Sequence, residues 1–197
     1  MQKDTKIFEE ICSERREVNT AVLEQTVALA VEIAREGREG RKIGTLFVVG
    51  DTEAVMKTSR PLILDPLYGH PEEDKKIDDP NVRETLKELA QLDGAFVVSD
   101  EGVVLSAARY LDASSDDLNL PLGLGSRHMA AASVSSRTSA VAVAVSESSM
   151  VRVFDNGELI SEIIPELWMW NGYNSSGLKG PTSIRQDDEV TVISRAE

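Results

Sequence analysis

Ser126, Arg127 and His128 follow a glycine-hinged turn at 123–125 and stand where a helix is expected to begin. Pro121, Gly123 and Gly125 keep regular structure from forming ahead of Ser126, which is a good N-cap. The small residues of 129–134 suit a helix packed closely on a sheet. A helix start carries unpaired backbone N–H groups and a partial positive charge. With a hydroxyl, a guanidinium and an imidazole beside them, these groups suit an anion such as a phosphate. Two acidic positions stand at other element ends. Asp93, followed by Gly94 and Ala95, lies where a short helix runs into a strand, and Ser146 with Glu147 closes the strand AVAVAV at 140–145. The same segments also fit a capped helix and a core strand, with Arg127 solvated and His128 at the surface or satisfied. GLGSRH half-matches the dinucleotide fingerprint G-x-G-x-x-G, but its third glycine is His128 and the LNLPL before it is a poor strand. A Rossmann reading is therefore rejected.

The elements that must hold these residues follow from periodicity. Apolar residues at helical spacing predict amphipathic helices over 3–12 and 19–38, the second ended by Gly37 and Gly40. An apolar strand bounded by Gly44 and Gly50 follows at 42–51. Residues 61–80 hold four of the seven prolines and an acidic cluster, which predicts a long surface loop carrying His70. A short helix at 81–92 leads into Asp93. Strands at 96–99 and 103–105 flank Asp100-Glu101-Gly102 as a hairpin, and 107–119 reads as a connection. Strands at 151–154 and 158–163 form a second hairpin around Asp155-Asn156-Gly157. Beyond Pro165, both tryptophans stand in LWMW, the Gly/Ser/Asn run at 171–183 reads as a linker or surface loop, and EVTVIS reads as a stray edge strand. Helices and strands interleave. The predicted fold class is α/β, a single domain with a mixed β-sheet flanked by helices, antiparallel in the hairpins and parallel across helical crossovers.

Composition narrows the function. The 197 residues are 41% hydrophobic, enough for one domain with a sizeable core. No apolar run reaches a membrane span and the N-terminus lacks the apolar core of a signal peptide, so the expected location is cytoplasmic. The single cysteine, Cys12, fills space on a first helix and forms neither an internal disulfide nor a cysteine-based zinc site. With 34 acidic against 21 basic residues the net charge is −13, which repels nucleic acid and anionic membranes. A polyanionic ligand must then be bound locally, by a helix start, one or two basic side chains and a divalent cation.

Asp93-Gly94-Ala95, Gly125-Ser126-Arg127-His128 and Ser146-Glu147 together resemble the diadenylate cyclase (DisA N-terminal) domain family, whose hallmarks are DGA and G-[ST]-R-H-R motifs. The separations agree: 34 positions from Asp93 to Arg127 and 19 from His128 to Glu147. The glycine-bounded strand IGTLFVVGD is similar to that family's early strand, and the resemblance covers roughly residues 43–162. Two departures are visible: Met129 replaces the second arginine, and Ser148 stands where many members have a second glutamate.

The resemblance implies a helical segment at 1–42, a cyclase-like domain at 43–170 and a C-terminal loop or tail at 171–197. It further implies condensation of two ATP molecules into cyclic di-AMP and two pyrophosphates across a dimer or higher homo-oligomer. Asp93 and Glu147 would hold Mg²⁺ or Mn²⁺. Ser126, with Gly94, Ala95, Gly125 and Ser146, would hold the nucleotide, while Arg127 and His128 take the developing pyrophosphate charge. A non-catalytic nucleotide-binding or sensory module on the same fold is the alternative. A metal-dependent phosphohydrolase wants more carboxylate and histidine ligands than this chain gathers.

Overall fold

In the computed structural model, residues 8, 10–13, 16–112, 124–165, 180–186 and 190–195 are described. A nine-stranded mixed sheet runs through the molecule in the order β2-β4-β3-β1-β5-β6-β7-β9-β8. Its strands are β1 (Thr45–Val49), β2 (Ser59–Pro61), β3 (Ala95–Val98), β4 (Val104–Leu111), β5 (Val141–Val145), β6 (Val151–Asp155), β7 (Glu158–Pro165), β8 (Thr182–Gln186) and β9 (Val190–Arg195). The helices are α1 (Thr20–Glu36), α2 (Thr52–Lys57), α3 (Pro80–Leu89) and α4 (Ser126–Arg137), with one 3₁₀ turn at Glu72–Lys75. The α/β class with a mixed sheet is as expected. Among the strand pairs, β1 with β3 is parallel, and the crossover through α4 returns β5 antiparallel to β1.

The β5 segment explains how the layers are built. Val141, Val143 and Val145 belong to the core on the side of α1, while Ala140, Ala142 and Ala144 belong to the core that contains Ala131, Ala132 and Val134 of α4. Alternation across the pleat sends bulky side chains to one face and small ones to the other. The alanine face lets α4 lie close on the sheet. On the other face Leu23, Val27 and Ala30 of α1 cover Phe47 and Phe96, whose rings stack at 4.8 Å. Asn19 caps α1 by accepting from the backbone N–H groups of Ala21 and Val22, and Asp79 caps α3 the same way at Asn81 and Val82, ahead of Pro80.

Several expectations change. The strand expected at 103–105 continues to Leu111, through a bulge where Ala108 takes φ 52°. The connection expected at 107–119 therefore begins as strand, and 113–119 lie outside the described residues. Within the stretch expected as loop, Glu72–Lys75 forms the 3₁₀ turn. The six-residue α2 is too short to show a helical period. EVTVIS is no edge strand: β9 is flanked by β7 and β8, so the described parts of 171–197 are sheet rather than tail. Residues 8 and 10–12 form turns, and the rest of the helix expected at 3–12 lies outside the described residues, as do Pro121, Gly123 and LWMW.

Candidate active site

The turn from α3 into β3 delivers Asp93. Gly94 follows with φ 107°, and a Cβ there would stand 2.6 Å from the Ala108 carbonyl carbon and 2.7 Å from the Arg109 nitrogen. Only glycine accommodates both the left-handed backbone and the β4 bulge pressed against it. Asp93 is consequently held on a tight turn with its side chain 83% exposed.

The α4 start is built differently from the sequence expectation. Gly125, not Ser126, is the N-cap, and its carbonyl accepts from the N–H groups of His128 at 3.0 Å and Met129 at 3.2 Å. Ser126 is the first helical residue. No side chain caps the helix, and a Cβ on Gly125 would meet open space. An exposed helix start without a side-chain cap keeps its positive end available to an anion.

Arg127 lies between the two acidic groups. Its Nη2 is 3.5 Å from Asp93 Oδ1 and its Nη1 is 3.5 Å from Glu147 Oε1. Gly44, just ahead of β1, provides the seat: a Cβ there would run into Nη1 of Arg127, with Cζ at 2.9 Å and Cγ of Glu147 at 3.3 Å. Its φ is not left-handed, so space alone calls for glycine. The sequence marked Gly44 as a strand boundary; nothing local to it reveals contact with a side chain 83 positions away.

A cleft of about 270 Å³ opens at this point, lined by Asp93, Gly94, Ala95, Ser126 and Arg127 together with Leu46, Leu62 and Tyr110. Arg109 also lines it, anchored by Nη2 on the Ser59 carbonyl at 2.9 Å and by Nε on Ser59 Oγ at 2.9 Å. Leu62 belongs to the stretch expected as surface loop, and Arg109 and Tyr110 to the stretch expected as a connection, so none of the three carried a motif signal.

Neither His128 nor Ser146 lines the cleft. His128 is 8% exposed, packs against the Phe154 ring and meets Arg152 through Nε2 at 3.2 Å. Burial first, then the charges of Arg152 and Arg127, lower its pKa to about 4. At neutral pH it is uncharged and brings no positive charge to a pyrophosphate. Ser146 Oγ is engaged in its own turn, with the backbone of Met150 at 3.2 Å and Ser148 Oγ at 2.7 Å.

The donor set bears on a metal. Among the described residues no group of three or more His, Cys, Asp or Glu side chains is placed to hold an ion. Asp93 and Glu147 nevertheless converge on one guanidinium, two exposed carboxylates sharing a single positive charge. Mg²⁺ is commonly held by one or two carboxylates together with substrate phosphates and water, so the pair fits a cation that arrives with a triphosphate.

Comparison with known proteins decides the family. The family model described as DAC, DisA bacterial checkpoint controller nucleotide-binding, matches residues 32–159, which include every residue of the cleft. The chain belongs to this family. Two curated DAC relatives named diadenylate cyclase are similar to it. One, from Methanocaldococcus jannaschii, is 52% identical over 144 residues, 73% of this chain and 45% of the relative. The other, from Haloferax volcanii, is 42% identical over 148 residues, 75% of this chain and 54% of the relative. The chain thus spans about half the length of the curated relatives it matches. Among solved structures, the DAC fold is similar to a protein described as a hypothetical membrane spanning protein from Bacillus cereus, with TM-score 0.53 at 21% identity, covering 71% of this chain and 66% of that one. Among the described residues here, no helix is long and apolar enough to cross a membrane.

Proposed function

We propose that this DAC-family chain is a diadenylate cyclase that condenses two ATP molecules into cyclic di-AMP with release of two pyrophosphates. The observation that carries the reading is Arg127 seated between Asp93 and Glu147 at the mouth of a cleft formed by an open helix start. In each half-reaction the 3′-hydroxyl of one nucleotide attacks the α-phosphate of the other and the pyrophosphate leaves. No covalent intermediate with the protein is needed, so alignment and charge neutralisation are what the chain must supply.

The first turn of α4 and Ser126 receive phosphate oxygens, and Arg127 leaves its two carboxylates to bind the departing pyrophosphate with charge-assisted hydrogen bonds. Asp93 and Glu147, once released, would hold a divalent cation, Mg²⁺ or Mn²⁺, whose chemistry there would be to lower the pKa of the attacking hydroxyl and to offset charge on the α-phosphate. Leu46, Leu62 and Tyr110 offer the apolar wall that a purine ring and ribose can pack against. Arg109, anchored on backbone, adds fixed positive potential in a molecule whose overall charge is −13.

The test is the identity of the product after incubation with ATP and Mn²⁺ or Mg²⁺. Cyclic di-AMP with stoichiometric pyrophosphate supports the reading; inorganic phosphate would point instead to hydrolysis. Met129 favours a second reading, since it stands where the family motif has an arginine. A non-catalytic nucleotide-binding module would bind ATP and return it unchanged.

A further inference from the structure

Along the face of the sheet that α4 covers, one cross-strand row runs Leu46, Ala144, Arg152, Glu162, Ile193. Leu46, Ala144 and Ile193 are core residues. The ion pair at the middle of the row is therefore an exception to an apolar surface: Arg152 Nε donates to Glu162 Oε1 at 2.7 Å, with side-chain exposures of 13% and 2%. A buried ion pair is weak grounds for stability, because desolvation offsets most of the attraction. Its position suggests another use. The alanine at 144 leaves room for the guanidinium to extend beneath the first turn of α4, where Nη1 comes within 3.2 Å of His128 Nε2.

Arginine has only donors. A hydrogen bond from Nη1 to Nε2 requires a lone pair on Nε2, and in a neutral ring that puts the proton on Nδ1. His128 Nδ1 is buried and has no hydrogen-bond partner among the described residues. A buried N–H left without an acceptor is costly and rare, and a bound ligand is one way such a group is satisfied. The charged groups facing the ring are Arg152 from β6 and Arg127 from α4, with Glu162 of β7 behind Arg152; burial first, and then both cations, keep the ring neutral.

We propose that Arg152, held in place by Glu162, is a positioning residue that fixes His128 as the neutral tautomer protonated on Nδ1, presenting an uncharged hydrogen-bond donor beside Arg127 to the bound nucleotide. The last step rests on the reading of the cleft as an ATP site; the tautomer does not.

Ring ¹⁵N resonances test the tautomer at neutral pH in the ligand-free protein. The chain has two histidines, and a His70→Gln variant assigns His128. The wild-type ring is expected to show Nδ1–H with an unprotonated Nε2. Removing the ion pair as a unit, Arg152→Met with Glu162→Met, avoids stranding a buried charge and is expected to shift the ring toward Nε2–H. In the same variant kcat/KM for ATP is expected to fall about tenfold, the lower end of what is lost when a partner orienting a metal-bound histidine is removed. Arg152→Lys, which keeps a donor and a charge, is expected to recover part of the loss. An Nε2–H ring or an imidazolium in the wild type overturns the proposal, as does a tautomer unmoved in the double variant. A switched tautomer with kcat/KM unchanged within twofold overturns the positioning role. If folded wild type makes no cyclic di-AMP, the cyclase reading fails separately, and ATP affinity measured calorimetrically in wild type and double variant takes the place of kcat/KM.

Discussion

Asp93 and Gly44 act on Arg127 from opposite sides, one by charge and the other by absence of a side chain. Asp93 is exposed on a turn and buries nothing, so Asp93→Asn is expected to leave the melting temperature unchanged while abolishing cyclisation. Near-normal turnover by that variant would remove Asp93 from the metal-binding role. Gly44→Ala introduces a methyl group where the guanidinium lies, and the flexible arginine is what yields. ATP affinity is expected to weaken by about 1.5–3 kcal/mol, the range for hydrogen bonds to charged groups. In an Arg127→Ala background the same substitution is expected to do nothing further. Equal losses in both backgrounds would place the effect of Gly44 elsewhere. His128 adds a pH signature. Its pKa is about 4 in the folded chain against an ordinary 6.5, so below 6.5 the unfolded chain takes up a proton that the folded chain does not. Stability is full above that interval and lost as pH falls through it. At about 1.4 kcal/mol per pH unit the loss is roughly 3 kcal/mol. Urea unfolding at pH 7 and pH 4.5 is expected to show a smaller drop for His128→Asn than for wild type; equal drops would mean the imidazole is already solvated.

At the level of elements, the site depends on how near α4 sits to β5. Ala144 lies in the core beneath that helix and pairs across strands with both Leu46 and Arg152. Ala144→Leu is expected to destabilise the protein by about 1–3 kcal/mol through overpacking. It is also expected to raise KM for ATP, because a helix lifted off the sheet carries Ser126 and Arg127 away from Asp93. Urea titration and steady-state kinetics on one preparation check both, and a destabilised variant with unchanged KM would show that the helix start is positioned independently of its packing. Across the sheet, α1 and α3 are joined by charges rather than by bulk alone. Lys87 is buried, which lowers its pKa, yet hydrogen bonds to Glu84, Glu32 and Glu36 outweigh burial and raise it, so it stays charged. Arg83 of α3 reaches Glu32 of α1 at 2.6 Å.

One chain offers one Arg127 and one Asp93, whereas the product of the proposed reaction needs two nucleotides, each hydroxyl in line with the other's phosphate. That geometry has two-fold symmetry, which an isologous contact between two chains would supply under the proposed reaction. The loop beside the cleft fits such a contact: Leu64 is 93% exposed and Tyr68 87%, close in sequence to Leu62 of the cleft wall. Activity per chain is expected to rise with protein concentration until dimers saturate. Mixing Asp93→Asn with Arg127→Ala chains is expected to restore little, since both phosphodiester bonds need intact residues. A constant specific rate down to concentrations where sedimentation shows only monomer would overturn the two-chain mechanism.

What the sequence determined by itself is what local pattern encodes. The helix ending at Gly37, the alternating strand over 141–145, the Asn-Gly hairpin turn with φ 50° and 77°, and the pairing of DGA with GSRH were all legible, because periodicity, turn chemistry and motif spacing act over few residues. Tertiary structure decided the remainder. β9 joins the sheet through β7, some way back in the chain, and carries β8 with it, and a short strand carries no mark of its register. Gly125 rather than Ser126 caps α4, a difference of one residue that backbone geometry settles. His128 turned inward because the alanine face of β5 leaves space for an arginine from β6, and the guanidinium of Arg127 found room because Gly44 has no side chain. Residue types could nominate those groups, but which atoms meet depends on packing between elements, and only the folded chain specifies that.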